Sequence, residues 1–170
     1  MTRIPKMPLF SLVSAVSLFA MTVQAQAEGL SSEMSFKVVE MTEDGTESLV
    51  ERDTVRPGEM IEYAITHHNG MDADLLGLAV AVPVPAGVTY VPGNETSSLP
   101  ANFEVQAEME PEIPGLEWSA LPAFRIVIDA TGAKKREPLP AEAIEAVRWN
   151  LDAALSSGET ALNSYRVVVN

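Results

Sequence analysis

Apolar and polar residues alternate with a period of two along most of the chain. Ile61, Tyr63 and Ile65 alternate with Glu62, Ala64 and Thr66, and Tyr165, Val167 and Val169 alternate with Ser164, Arg166 and Val168. Met34, Phe36 and Val38 repeat the pattern, as do Leu76, Leu78, Val80 and Val82, and again Phe124, Ile126 and Ile128. Successive side chains on a strand point to opposite faces, so each run predicts a strand with one apolar face turned inward. Between the runs lie Arg56-Pro57-Gly58-Glu59, Asn69-Gly70, Pro83-Val84-Pro85-Ala86-Gly87 and Pro92-Gly93-Asn94, where proline fixes φ or glycine frees it. Many short strands separated by such turns predict an all-β, antiparallel, Ig-like sandwich of about seven to nine strands. Strands alternating with long helices are absent from the pattern, which argues against a doubly wound nucleotide-binding sheet.

One stretch carries two periods. In residues 140–155, Ile144, Val147, Leu151 and Leu155 suit a helix, whereas Val147, Trp149 and Leu151 suit a strand. Composition favours the helix, because alanine, glutamate and leucine abound and a proline precedes Ala141. Residues 108–122, rich in proline and glutamate, read as an extended connection over the surface, with Trp118 expected to plug one end of the sandwich.

The first residues bear on compartment. Arg3 and Lys6 precede a charge-free apolar run that ends at Ala25-Gln26-Ala27, the order of a secretory signal peptide. The run is short for a stable membrane span. Residues 1–27 are therefore expected to be removed, leaving residues 28–170 as a single domain that is exported to the periplasm or beyond. The chain has no cysteine, which excludes disulfides, thiolate metal sites and thiol catalysis. The leader removes two of the 11 basic residues and none of the 24 acids, so the mature charge is 9 − 24 = −15. That balance opposes nucleic acid and anionic membrane surfaces as partners. Lys134, Lys135 and Arg136 form the basic cluster, expected at a solvated hairpin tip.

Candidate chemistry is sparse. His67 and His68 sit side by side, and with Ile61, Tyr63 and Ile65 inward the strand period turns His67 in and His68 out. Neighbours that diverge in this way do not share a metal easily. One histidine with the thioether of Met71 is a ligand set that suits copper. Asp72 and Asp74 offer two oxygens of the six to eight a calcium ion takes, and as turn residues they serve equally well by bonding their own backbone. No Gly-x-Ser-x-Gly elbow and no phosphate-binding glycine loop occurs, and no nucleophile, base and orienting group can be assembled. The chain therefore reads as no enzyme, with no cofactor.

The order of turns and strands resembles the domain of unknown function numbered eleven, an Ig-like repeat domain of bacterial surface and secreted proteins. The resemblance runs through "VRPGEMIEYAITHHNG", "LGLAVAVPVPAGVTYVPG" and "AVRWNLDAALSSGETALNSYRVVV", with Pro57, Gly58, Tyr63, Asn69, Pro85, Gly87, Tyr90, Arg148 and Trp149 at the pattern positions. It implies an Ig-like sandwich with a strand, not a helix, over residues 144–151, and an insertion over residues 98–140. Composition, motifs and resemblance together lead to the expectation of a non-catalytic envelope or extracellular module, structural or binding another envelope or surface protein. The expected contact is an exposed edge strand or the 98–140 region. Periplasmic metal binding or delivery, of copper or calcium, stands as the alternative.

Overall fold

The computed structural model describes residues 29–170, so the expected signal peptide lies outside the described residues. Eleven strands form, and all their pairings are antiparallel. They are β1 (Leu30–Met41), β2 (Glu47–Val50), β3 (Met60–Asn69), β4 (Ala79–Pro83), β5 (Val88–Ser97), β6 (Ala101–Ala107), β7 (Glu117–Ala120), β8 (Phe124–Ile128), β9 (Lys134–Pro138), β10 (Ala146–Leu151) and β11 (Thr160–Val169). A five-stranded sheet in the order β2-β1-β3-β11-β5 faces a four-stranded sheet in the order β4-β10-β6-β7. These nine strands make the sandwich. The remaining two, β8 and β9, pair only with each other.

The period-two runs dictate the core. Ile61, Tyr63 and Ile65 on β3 and Tyr165, Val167 and Val169 on β11 are all buried, and Val80, Val82, Val105, Val147 and Trp149 meet them from the other sheet. Aromatic rings link the strands. Tyr63 stacks on its cross-strand neighbour Tyr165 at 5.3 Å between ring centres, and Trp149 meets its cross-strand neighbour Phe103 edge-on at 5.2 Å. Between the sheets Tyr165 lies 6.1 Å from Trp149, and Tyr90 lies 6.1 Å from Phe103. Offset and tilted pairs of this kind add roughly 0.5–1.5 kcal/mol each beyond the area they bury.

Turn chemistry fits its sites. In the turn before β3, Pro57 takes the second position, Gly58 the third with φ +84°, and the amide of Glu59 donates to the Arg56 carbonyl at 3.1 Å. A side chain at Gly58 would be strained by that φ.

Several details differ from the sequence pattern. Residues 146–151 form β10, and only a short 3-10 turn at Ala141–Ala143 represents the helix that composition favours. Tertiary burial wins, because Val147, Trp149 and Leu151 fill the core at strand period. Leu76 is 82% exposed, since β4 starts only at Ala79. Ile128 is 51% exposed, because β8 pairs away from the sandwich and has no sheet beneath its end. Residues 108–122 are not wholly a connection: they contain β7, and Trp118 there is half-buried under the Arg148 guanidinium, 4.2 Å from the ring centre, instead of plugging an end. Lys134, Lys135 and Arg136 lie on β9, just past the hairpin tip, where Lys134 pairs with Glu112 at 2.6 Å and Arg136 covers the Phe124 ring.

Replacing Trp149 by alanine removes the ring that joins both sheets, and urea denaturation should show a loss of about 3–5 kcal/mol. A chain carrying Leu76→Ala should unfold within about 0.5 kcal/mol of the parent, because that side chain is already in water.

Candidate functional site

The segment of the two histidines closes β3 and sits beside the start of β1. His67 is buried on the inner face, its Nδ1 2.7 Å from the hydroxyl of Ser32, its cross-strand neighbour on β1. His68 is exposed on the outer face, with its Nδ1 3.3 Å from the hydroxyl of Thr160. The rings therefore stand on opposite sides of one sheet. Burial holds the His67 imidazole below its ordinary pKa, so it favours the neutral form. Its Nε2 is buried and unpaired, as are both amide atoms of Asn163, among the described residues. Asn163 lies opposite Ile65, and Ala161 lies opposite His67, so these polar groups occupy diagonal positions on neighbouring strands.

Asn69 organises the turn that follows. It is fully buried, and its amide donates to the carbonyls of Ala73 and Leu155, both at 2.9 Å, while its side-chain oxygen accepts the Met71 amide at 3.1 Å. One side chain thus ties the loop after β3 to the loop after β10. Met71 packs on Gly29, where a Cβ would stand 2.2 Å from the Met71 Cγ, so only glycine fits. The Met71 carbonyl accepts the Ser157 hydroxyl at 2.6 Å, and the Asp74 carboxylate accepts the Ser157 amide at 3.0 Å. Asp72 is exposed. Asp74 is thus committed to loop structure. Among the described residues no three His, Asp or Glu side chains gather as a metal cage.

A second feature adjoins the first: the outer edge of β1. The Gly70 amide donates to the Gly29 carbonyl at 2.6 Å, which makes Gly29 and Gly70 a bonded pair. With the β1/β3 register, the backbone groups of Ser31, Glu33, Ser35 and Lys37 turn toward β3, and those of Leu30, Ser32, Met34 and Phe36 turn away. The same parity holds further along, where Thr42 donates to Thr46 beyond β2 at 2.8 Å. Strand β2 covers only Val38–Met41. Four N–H and four C=O groups of Leu30, Ser32, Met34 and Phe36 therefore have no partner strand among the described residues.

The other edges of the two sandwich sheets are blunted. Strand β5 carries Pro92, which has no N–H, its register against β11 shifts between Ser164 and Arg166, and the 3-10 turn lies against it. The Glu95 carboxylate accepts the Gly93 amide and the Tyr90 hydroxyl there, both at 2.8 Å. Strand β4 turns only Ala79, Ala81 and Pro83 outward; Pro83 has no N–H, and its carbonyl accepts the Tyr165 hydroxyl at 3.3 Å. Strands β2 and β7 have four residues each. Prolines, bulges and short length are the usual defences of a sheet edge, and the first half of β1 has none of them. In the 98–140 region, a cleft of about 360 Å³ lies among Met109, Ile113, Phe124 and Arg136 and is open to solvent.

Of the residues singled out by sequence, His67 and His68 stand where the strand period puts them, and Met71 and Asp74 join one loop network. Sequence reasoning missed the pivotal role of Asn69 and the burial of Asn163. An asparagine in phase with an apolar face is the signal that marks both. Comparison of the chain with protein-family models, with curated proteins and with solved structures finds no match.

Asn69→Ala strands the carbonyls of Ala73 and Leu155, and equilibrium unfolding should register a loss of about 2–4 kcal/mol. For His67 the unfolded state takes a proton at about pH 6.5 while the folded state resists it. Stability should therefore fall as pH drops from 7.5 to 5.5, and denaturation midpoints of His67→Gln should be flatter over that interval.

Proposed function

We propose that this protein is an exported, non-catalytic module of the cell envelope or extracellular space that works by binding another protein. The observation that carries the reading is the free edge of β1, since a row of unpaired backbone donors and acceptors accepts an added strand. The leader-like start and the acidic balance support an exported protein that keeps apart from nucleic acid and anionic lipid. No helix among the described residues is long and apolar enough to cross a membrane. The same edge suits attachment by main-chain hydrogen bonds, with side chains at alternate positions setting the choice of partner. Metal delivery through His67 or His68 with Met71, or through Asp72 with Asp74, has less support, because the two rings face opposite ways and Asp74 is engaged by Ser157.

Native mass spectrometry of the protein drawn gently from the envelope fraction tests this. The expected result is a chain starting at Glu28 that travels with a second polypeptide and carries no metal. A monomeric chain without a companion would overturn the protein-binding role, and a bound metal lost on His67→Ala or Met71→Ala would replace it with the carrier.

A further inference from the structure

The residues just before the open edge of β1 read as a strand in their own right. Met21, Val23, Ala25 and Ala27 alternate with Thr22, Gln24 and Gln26, the period of a strand with one covered face. These positions lie outside the described residues, but the turn that joins them to β1 reaches inside: Gly29 is in a turn, with φ +95°. A positive φ at the third of four turn residues, here Ala27-Glu28-Gly29-Leu30, suits a tight reversal of the chain.

A two-residue turn on Glu28-Gly29 fixes the register. Ala27 and Leu30 close it as a hydrogen-bonded pair, and Ala25 with Ser32, Val23 with Met34 and Met21 with Phe36 follow. The pairs that exchange hydrogen bonds then fall on Leu30, Ser32, Met34 and Phe36, the residues whose backbone groups turn away from β3. A loop one residue longer or shorter would fall on the wrong set. The faces agree independently: Met21 and Val23 come beside Phe36 and Met34 on the side turned toward the sandwich, where Met34 is 38% exposed and Phe36 only partly buried. Thr22, Gln24 and Gln26 come beside Ser35, Glu33 and Ser31 on the outer side. Length agrees as well, since Ala20 falls opposite Lys37 and β2 takes over at Val38.

We propose that in the uncleaved chain residues 20–27 fold back on β1 as a hairpin strand, so that the open edge stays covered until the leader is removed. All four N–H and four C=O groups of the edge are then bonded, which blocks the addition of any other strand. Cleavage after Ala27 takes the cover away. The pairing stands by itself; its meaning as a guard for a binding edge rests on the protein-binding role.

The test compares the full chain 1–170, made without exposure to signal peptidase, with the mature chain 28–170, both in the same mild detergent. The readout is amide hydrogen exchange resolved by residue. In the full chain the amides of Leu30, Ser32, Met34 and Phe36 should exchange on the order of tenfold more slowly than in the mature chain, with Ala79 and Ala81 unchanged. Val23→Pro removes an N–H that bonds Met34 and should restore the faster exchange. Thr22→Pro removes an N–H that faces solvent and should leave exchange slow. Both positions precede β1, so the pairings of the sandwich are untouched.

Equal exchange in the two chains would overturn the proposal, as would slow exchange that survives Val23→Pro. Slowing that grows with protein concentration would assign the edge to a second copy and overturn it too. The envelope measurement is made on the cleaved chain and keeps the two readings apart. A companion there, with an uncovered edge in the full chain, ends the cover and leaves the role; a covered full chain, with no companion for the mature one, ends the role and leaves the cover.

Discussion

The contact between Trp149 and Tyr165 is where the two sheets join in one core. Trp149 sits in the centre of β10 with Phe103 at its edge, and Tyr165 sits in the centre of β11 with Tyr63 on one face and its hydroxyl on the carbonyl of Pro83. Large rings at matching heights on facing strands fix both the spacing of the sheets and their relative slide, because a shift along either strand would separate the rings. Everything at the ends of these strands inherits that alignment. The loops after β3 and β10 meet only because their strands stop in step, and Leu75 then bonds Leu155 in both directions at 2.9 Å.

The inner end of β3 shows how a sheet moves from apolar core to polar rim. Going outward along one face, Ile61, Tyr63 and Ile65 give way to His67 and then Asn69. Each polar group placed there has to find partners from neighbouring strands or loops. Asn69 satisfies its amide fully, while His67 satisfies one nitrogen through Ser32 of β1. The Ser32 contact and the ten-residue register with β3 hold β1 firmly on one side. A strand held so firmly on one side and left open on the other is a rigid template, and rigid templates lose little entropy when a partner docks.

The sequence made much of this architecture legible, and the failures have definite causes. Period-two runs identified the buried faces of β3 and β11, since each residue there packs at its expected height. The same pattern misjudged Ile128 and Leu76, because alternation cannot tell whether a second sheet lies above the strand, nor where the strand begins. In residues 140–155 composition pointed to a helix; the fit of Val147, Trp149 and Leu151 to the core decides for strand, and only the long-range contacts of Trp149 make that visible. The divergence of His67 from His68 followed from strand geometry alone. The open edge did not, because it depends on strand order: β1 is second in its sheet, yet its first half is an edge because β2 is short.

The Asn69-Gly70 step carries a chemical consequence. In a flexible chain the amide nitrogen of a glycine that follows asparagine attacks the side-chain carbonyl carbon, expels ammonia and closes a succinimide, which water opens to aspartate or isoaspartate. Here both reactants are restrained: the Gly70 nitrogen donates to the Gly29 carbonyl, and the Asn69 side chain is held at both of its ends. Folding therefore protects this bond from ageing. A molecule in which β1 has peeled from β3 and the loops have released Asn69 loses both restraints, and an aspartate formed at this step brings a negative charge to the carbonyls of Ala73 and Leu155. The product is a heavier chain carrying aspartate or isoaspartate at this step, a covalent mark of time spent unrestrained.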